Sequence, residues 1–403
     1  SSCVLVLGLP MSARPGGGGW TCTSGALCVG LAGLGSGLEY DAHTATLQHG
    51  DIQEKFCADL CGVGAADCFI IYYTDSKGCN KLILVDAGNY KDGQNIINHV
   101  RKYYSNPIIN LAIVTHPDAD HFGGFVKMLE KIKDTEDDAI PIKQFWLNNP
   151  QNHVKVTQVQ NEIKKTTLEN RVARLFDQGE SNLLDLIESL RIPISDKFAQ
   201  QTYCRDMVTG KIVAKPSWER EFLGLTIIGP TLGYFEKLAP NMRYDNLKGY
   251  SYDAKDDDEA FRPTESCLSK ALDDATDDSS VHNQSSLIFM FEPEKGKKYL
   301  FMGDAGVEAL ANIPQCHKNA IKDIYWLKVP HHGSKHNLDS KTILYLHPKY
   351  AYISSEKQGH YLNQCTINAL KQIGCKVYST HRRKANFLEH GGEREGYKTA
   401  IPE

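Results

Sequence analysis

Long apolar runs are missing from this 403-residue chain. None approaches the roughly 18 residues that a membrane-spanning helix needs, so no membrane span is expected. Charge of one sign is also scarce. The formal net charge is only −4, too small for a protein that gathers nucleic acid by its overall field. Contact with nucleic acid would have to use a local basic patch. Zinc-knuckle spacing is absent too: twelve cysteines occur without one CxxC pair, although Cys57, Cys61, Cys68 and Cys79 cluster. Cys68 and Cys375 sit in apolar, strand-like surroundings, where cysteine serves as a small core residue. Free buried thiols in a reducing compartment, and hence a cytoplasmic location, are expected; a secreted disulfide protein is the alternative. No basic residue precedes Val4-Leu5-Val6-Leu7-Gly8-Leu9, so a signal peptide is only weakly indicated. Residues 1 to 38 are rich in Gly, Ser and Ala and lack periodicity, and are expected to be a flexible or non-native leader.

What remains reads as a globular protein, 41% hydrophobic, 23% charged and 9% aromatic. Strand-like stretches alternate with helical spacing from about residue 45. Asp67 to Tyr73, Lys81 to Gly88, Leu111 to Val114, Phe145 to Leu147 and Leu225 to Pro230 form the first series. Ser286 to Phe291, Tyr299 to Asp304, Ile324 to Pro330, Tyr350 to Ser354 and Lys376 to Ser379 form the second. Helical spacing appears at Ile96 to Tyr104, from about Gln158 to Leu190, and near Thr366 to Ile373. Two sheets packed face to face with helices outside, in one α/β domain over 45–403, is the expected architecture. An acidic insertion near 236–280, densest over 253–278, lacks the acid spacing and glycine of an EF-hand and reads as a solvated loop.

Polar residues collect at the ends of these strands. The densest group is Thr115-His116-Pro117-Asp118-Ala119-Asp120-His121-Phe122-Gly123-Gly124, with four metal-capable side chains within six positions. An apolar strand precedes it, Gly123-Gly124 is expected to turn the backbone tightly, and a helical pattern opens at Phe125. A solvated connection whose Asp residues cap a helix is the competing reading. Three more strand ends carry acids or imidazoles: Asp86, Asp304 and the pair His331-His332. Each has a dull explanation alone, as turn, cap or packing residue; the four in this order are hard to obtain by accident.

The chain here resembles the metallo-β-lactamase fold, with its strand-end Asp, HxHxDH loop, Gly-Asp after a strand and late His. It is most similar to the corresponding domain of the ComEC competence proteins and their free-standing relatives, whose loop reads Ser/Thr-His-Pro-Asp-Ala-Asp-His-Ile-Gly-Gly. Gly303-Asp304, Leu327 to Ser334 and Val63 to Cys68 extend the likeness over roughly residues 50 to 380. Asp118 stands where most of the superfamily has His, a change that the ComEC-like group shares. The third-motif His is not plain; His282 is the candidate ligand by position, with Asn283 the alternative in a supporting role.

The resemblance implies a four-layered αββα metallo-β-lactamase sandwich holding two divalent metal ions, Zn or Mn. His116 and Asp118 would hold one, Asp120 and His121 the second, Asp304 would bridge, and His331 or His332 would complete the second. The carboxylate at 118 shifts preference toward harder ions such as Mn²⁺. Two such ions activate water for in-line displacement, with Asp86 or Asp120 orienting or deprotonating it. Ser334 and Lys335 follow the histidine pair, where a hydroxyl and an ammonium could meet a phosphate oxygen; Lys328 and Arg382-Arg383-Lys384 are candidate basic lining. The implied function is a phosphodiesterase or nuclease acting on nucleic acid, DNA ahead of RNA, or on a small phosphodiester. The alternatives are hydrolysis of a small ester, lactone, thioester or cyclic nucleotide, and a catalytically silent binding protein.

Overall fold

The computed structural model describes residues 66–74, 79–104, 107–153, 173–199, 222, 224–242, 272–292, 296–355, 362–379 and 402–403. It also describes the backbone of short strands at 3–8, 12–13, 20–21, 28–32 and 55–56. Residues 253–271 of the acidic insertion and the Arg382-Arg383-Lys384 run lie outside the described residues, as does most of 1–38.

The protein is mixed α/β, built on two large sheets. Strands of the first are β1 (Cys3–Gly8), β2 (Cys28–Ala32), β3 (Lys55–Phe56), β4 (Asp67–Thr74), β5 (Asn80–Ala87), β6 (Leu111–Ile113), β7 (Phe145–Trp146) and β8 (Ile194–Ser195). Their order is β8-β7-β6-β5-β4-β1-β2, with β3 on the edge of β1. The run β5 to β8 is parallel and β4 is antiparallel to β5. The second sheet runs β9 (Leu225–Gly229), β10 (Ile288–Phe291), β11 (Tyr299–Phe301), β12 (Trp326–Lys328), β13 (Tyr350–Ile353), β14 (Lys376–Ser379), with β11 to β14 parallel. Parallel strands end at one edge, so the loops leaving β5 and β6 gather together, as do those leaving β11 and β12. Asp67, which opens the antiparallel β4, joins the former pair.

Period-2 alternation sorts each strand's side chains between two environments. Phe69, Ile71, Ile83, Val85, Ile113 and Trp146 of the first sheet share one buried cluster with Leu225, Phe289, Phe301, Trp326 and Tyr352 of the second. Rings meet across it, Phe69 with Phe301 at 5.8 Å and Tyr73 with Phe291 at 5.5 Å. The intervening residues, Ile70, Leu84, Ala112, Ile288, Leu300 and Ala351 among them, join the cluster that also takes up the helices. Among the described residues no helix is long and apolar enough to cross a membrane.

Helix α1 (Asp92–Tyr103) starts four residues before the expected Ile96 to Tyr104, and α2 (Ala119–Lys133) starts six residues earlier than the apolar pattern indicates. Its first turn therefore carries Asp120 and His121, and Gly123-Gly124 do not form a turn but lie inside the helix. Their function is close approach. A Cβ on Gly124 would lie 2.0 Å from the Ala87 carbonyl oxygen, and one on Gly123 would lie 2.5 Å from the Tyr90 nitrogen. The helix expected over 158–190 is also shorter where described. A small hairpin, Asp177–Gln178 with Ser181–Asn182, precedes α3 (Leu183–Ser189), which Asn182 caps with its side chain; residues 154–172 lie outside the described set.

Cys68 and Cys375 are buried outside any disulfide, as expected; Cys365 is too, while Cys79 is exposed. Cys316 departs from the expectation of free thiols throughout: it is disulfide-bonded.

The glycine contact carries a stability prediction. Gly124→Ala pushes a methyl group against backbone that cannot rotate away, so α2 must lift from the end of β5. The expected loss is about 1–3 kcal/mol or more, read as a lower urea midpoint. A midpoint equal to that of the unsubstituted protein would refute the close approach.

Candidate metal centre

Two carboxylates with almost no exposure anchor the site. Asp86, the penultimate residue of β5, adopts φ +51°, a conformation that non-glycine residues rarely take. The turn aims its carboxylate at the neighbouring strand end. Asp86 Oδ1 accepts the Thr115 backbone N–H at 2.8 Å, and Oδ2 accepts the Thr115 hydroxyl at 2.8 Å and His121 Nδ1–H at 2.9 Å. Because a carboxylate only accepts, Nδ1 of His121 carries a proton, and Nε2 is the ring nitrogen turned inward, 3.4 Å from Asp304 Oδ2. Asp86 thus orients a histidine, and it stands behind His121 rather than at a water.

Asp67 is buried with Lys328, whose ammonium pairs with Asp67 Oδ2, donates to the Gly303 carbonyl at 2.8 Å and lies 3.3 Å from Asp304 Oδ1. Lys328 is 1% exposed, which corrects its reading as basic lining: it is an internal counter-charge. Sequence reasoning assigned no role to Asp67, and its signal was a charged residue opening an otherwise apolar strand.

Asp304 follows β11 through Gly303, whose φ of +54° and contacts with Ser286 and Thr115 leave no room for a Cβ. Its Oδ1 accepts the His331 backbone N–H at 3.1 Å. Its Oδ2 lies 3.4 Å from His121 Nε2 and 3.8 Å from His332 Nε2. The latter histidine donates Nδ1–H to the Ser354 carbonyl at 2.9 Å, which again leaves Nε2 as the inward lone pair. His332 Nε2 is 3.5 Å from Asp120 Oδ2.

Two triads of ligand-capable atoms result, each within 4.8 Å: His116, His121 and Asp304, and Asp120, His121 and His332. Asp67, Asp86 and His121 form a third group of the same size, but its carboxylates are engaged by Thr115 and Lys328. The resemblance left His331 and His332 as alternatives; it is His332 that reaches the cluster. Asp118 and His282 lie beside the triads. Asp118 Oδ1 accepts His282 Nδ1–H at 2.8 Å, and Asp118 Oδ2 is 3.5 Å from His116 Nε2. The candidate third-motif residue His282 therefore does arrive at the site, on the short helix α4 (Val281–Gln284) capped by Ser280. Asn283 takes a supporting place, donating to Asp278 Oδ2 at 2.7 Å. Ser334 and Lys335 do not join the triads: Ser334 Oγ accepts the His336 N–H at 3.2 Å in its own turn, and Lys335 is half-buried.

Asp278 is the site residue that sequence reasoning missed. It ends the stretch read as a solvated acidic insertion, yet it is 1% exposed. Its carboxylate accepts from Ser280 N, Asn283 Nδ2 and Asn337 Nδ2, and it lies 3.3 Å from His331 Nδ1. Burial pushes its pKa up most, but the hydrogen bond and charge of His331, with hydrogen bonds from Asn283 and the Ser280 N–H, together hold it below the usual value.

A comparison with protein-family models finds no match to this chain, and a comparison with curated proteins finds none either. The donor set must speak for itself.

It fits a cation. Nε2 of His116, His121 and His282 is buried without a hydrogen-bond partner, a costly arrangement unless something accepts the lone pair. Charge points the same way. Burial drives the pKa of His121 down, yet the carboxylates of Asp304, Asp120 and Asp86 lift it well above the ordinary imidazole value. Burial likewise raises Asp304, Asp118 and Asp120, and the surrounding histidines, with Lys328 at Asp304, hold all three carboxyls below the usual range. Without another cation, protons on imidazole supply the balancing charge. A narrow crevice lies beside His116, lined in part by Leu147, Asn148, Phe176 and Phe235.

The carboxylates around His121 raise its pKa, so loading with Zn²⁺ or Mn²⁺ is expected to release protons at neutral pH and to tighten as pH rises. Calorimetry in buffers of different ionisation enthalpy reads this, and zero net release would refute the charge balance. Asp86→Asn removes the anion behind His121 and is expected to weaken metal affinity about 10–100-fold while the chain stays folded; unchanged affinity would remove Asp86 from the site.

Proposed function

We propose that this protein is a metal-dependent hydrolase of phosphodiesters, with nucleic acid, DNA ahead of RNA, as its substrate class. One observation carries the reading: imidazole nitrogens buried without partners converge with Asp120 and Asp304 at the ends of strands from two sheets. The fold reading that accompanies it is the four-layered αββα sandwich of the metallo-β-lactamase type. Its support is the aromatic cluster shared by the sheets, with helices taken up on their other faces. The resemblance to the ComEC-type domain supports the choice of substrate.

Two divalent cations, Zn or Mn, would supply Lewis-acid activation of water and neutralise charge on the phosphoryl oxygens. The chain's own residues do the rest. His116, His121, Asp304, Asp120 and His332 hold the centre, with Asp118 and His282 alongside. Asp86 and the Ser354 carbonyl fix the tautomers of His121 and His332. Asp120, with its side chain 32% exposed, is the carboxylate placed to accept a proton from water at the open side.

A cytoplasmic location is supported by the buried cysteines outside disulfides and opposed by the disulfide on Cys316, since disulfides mark oxidising compartments. Thiol titration of protein prepared under native conditions decides between them.

The functional test uses chelated protein given Mn²⁺, Zn²⁺, Mg²⁺ or Ca²⁺ in turn. Single- and double-stranded DNA, RNA and a chromogenic phosphodiester are the substrates. Cleavage of DNA with Mn²⁺ or Zn²⁺ is expected, with loss of at least about 10²-fold in Asp304→Ala and Asp120→Ala. Cleavage of the small diester alone would reassign the substrate. Absence of turnover by fully loaded protein would replace the hydrolase with a binding protein.

A further inference from the structure

The candidate metal centre takes up the edge of the first sheet where the parallel strands β5, β6 and β7 end. A cavity opens at the other edge, where the same strands begin. Asn80 and Leu82 belong to the start of β5, Asn110 directly precedes β6, and Lys143 lies two positions before β7; all four line the cavity. Asn80 and Asp86 are six residues apart along one extended strand, roughly 20 Å, so the cavity and the metal centre are separate places. Tyr104, which follows the last residue of α1, completes the wall with Tyr72 of β4; their ring centroids are 4.8 Å apart and their planes tilted by 46°. The space amounts to about 280 Å³, close to the roughly 300 Å³ at which ordinary small-molecule sites begin.

The lining says what such a molecule would look like. Two tyrosine rings and Leu82 give an apolar wall suited to a flat ring. Asn110 is 9% exposed, and its Oδ1 accepts the Leu82 N–H at 2.8 Å. A backbone N–H only donates, so the other end of this amide is Nδ2, with two hydrogens to give. Nδ2 has no partner among the described residues. A nine-tenths buried amide with unmet donors is costly, and an acceptor lodged in the cavity would remove that cost. Lys143 is exposed, and its ammonium has no ion pair among the described residues. No acidic side chain lines the cavity. The nearby end of α1 is the negative end of a helix, but Arg101 and Lys102 in its last turn offset that charge.

We propose that this cavity is a second binding site, for a small planar aromatic molecule bearing one anionic group. The ring lies against Tyr72 and Tyr104, and the carboxylate or phosphate meets Asn110 Nδ2 and Lys143. The site stands whether or not the metal centre hydrolyses phosphodiesters.

The test is calorimetric titration of the full chain, chelated so that no metal competes for the anion. Indole-3-carboxylate and adenosine 5′-monophosphate are the anionic probes, and benzamidine is a flat cation for contrast. Saturable binding of at least one anion is expected, with Kd on the order of 1 mM or tighter, and none of benzamidine; the tighter anion identifies the acid group. Lys143→Gln should keep the melting temperature and weaken that binding about tenfold, the equivalent of one charge-assisted hydrogen bond. Asn110→Asp keeps an acceptor for the Leu82 N–H while removing the donors, and should weaken binding at least as much; if it fails to fold, the exposed Lys143 variant carries the test. Asp304→Ala should bind the anion as the unsubstituted protein does. Absence of saturable binding by either anion, equal binding of benzamidine, or unchanged affinity in Lys143→Gln would overturn the proposal. Affinity lost in Asp304→Ala would move the anion to the metal centre and overturn it as well.

Discussion

Buried negative charge governs this structure. Asp67 and Asp86 lie at the joined edge of two sheets with 0% and 1% exposure, where an unpaired carboxylate would cost several kcal/mol. Their compensation comes from other strands. Thr115 after β6 grips Asp86, and Lys328 at the end of β12 reaches Asp67 and Asp304. The first and second sheets are therefore joined at this edge by ionic and hydrogen-bonded contacts, not only by the rings between them. Strand ends that would otherwise fray in solvent are pinned where ligand geometry has to be exact to within tenths of an ångström.

The same constraint appears in α2. Asp120 and His121 occupy its first turn, so the angle at which the helix leaves β6 sets where both side chains point. Gly123 and Gly124 permit the backbone of α2 to touch the β5–α1 connection, and Gly124 N–H donates to the Gly88 carbonyl at 3.1 Å. Helix placement, and through it the position of Asp120 and His121, is locked by backbone against backbone.

Much of this was legible in the sequence. Alternation in Phe69 to Tyr73 and Ser286 to Phe291 marked strands because each face meets a different core, and acids or imidazoles at strand ends marked one edge. The features that escaped depend on long-range partners. Lys328 looked like surface charge until Asp67, 261 positions earlier, supplied its counter-ion. Asp278 looked like the last of many solvated acids, and only the returning loop at His336-Asn337 buries it. The start of α2 escaped for a local reason: its first turn is polar and glycine-bearing because it faces the site and the β5 backbone, so the apolar period begins late. The choice between His331 and His332 turned on backbone dihedrals, which neither residue's identity encodes.

Lys328 has one more consequence. Around the cluster, Asp67, Asp86, Asp118, Asp120 and Asp304 carry five negative charges if ionised, and Lys328 returns one. Two divalent ions would cancel the remaining four, whereas one would leave the pocket anionic. An approaching phosphodiester would then be repelled from a half-filled centre and admitted by a full one. On the proposed reading, the internal ammonium would favour an order of assembly in which both cations enter before the phosphodiester.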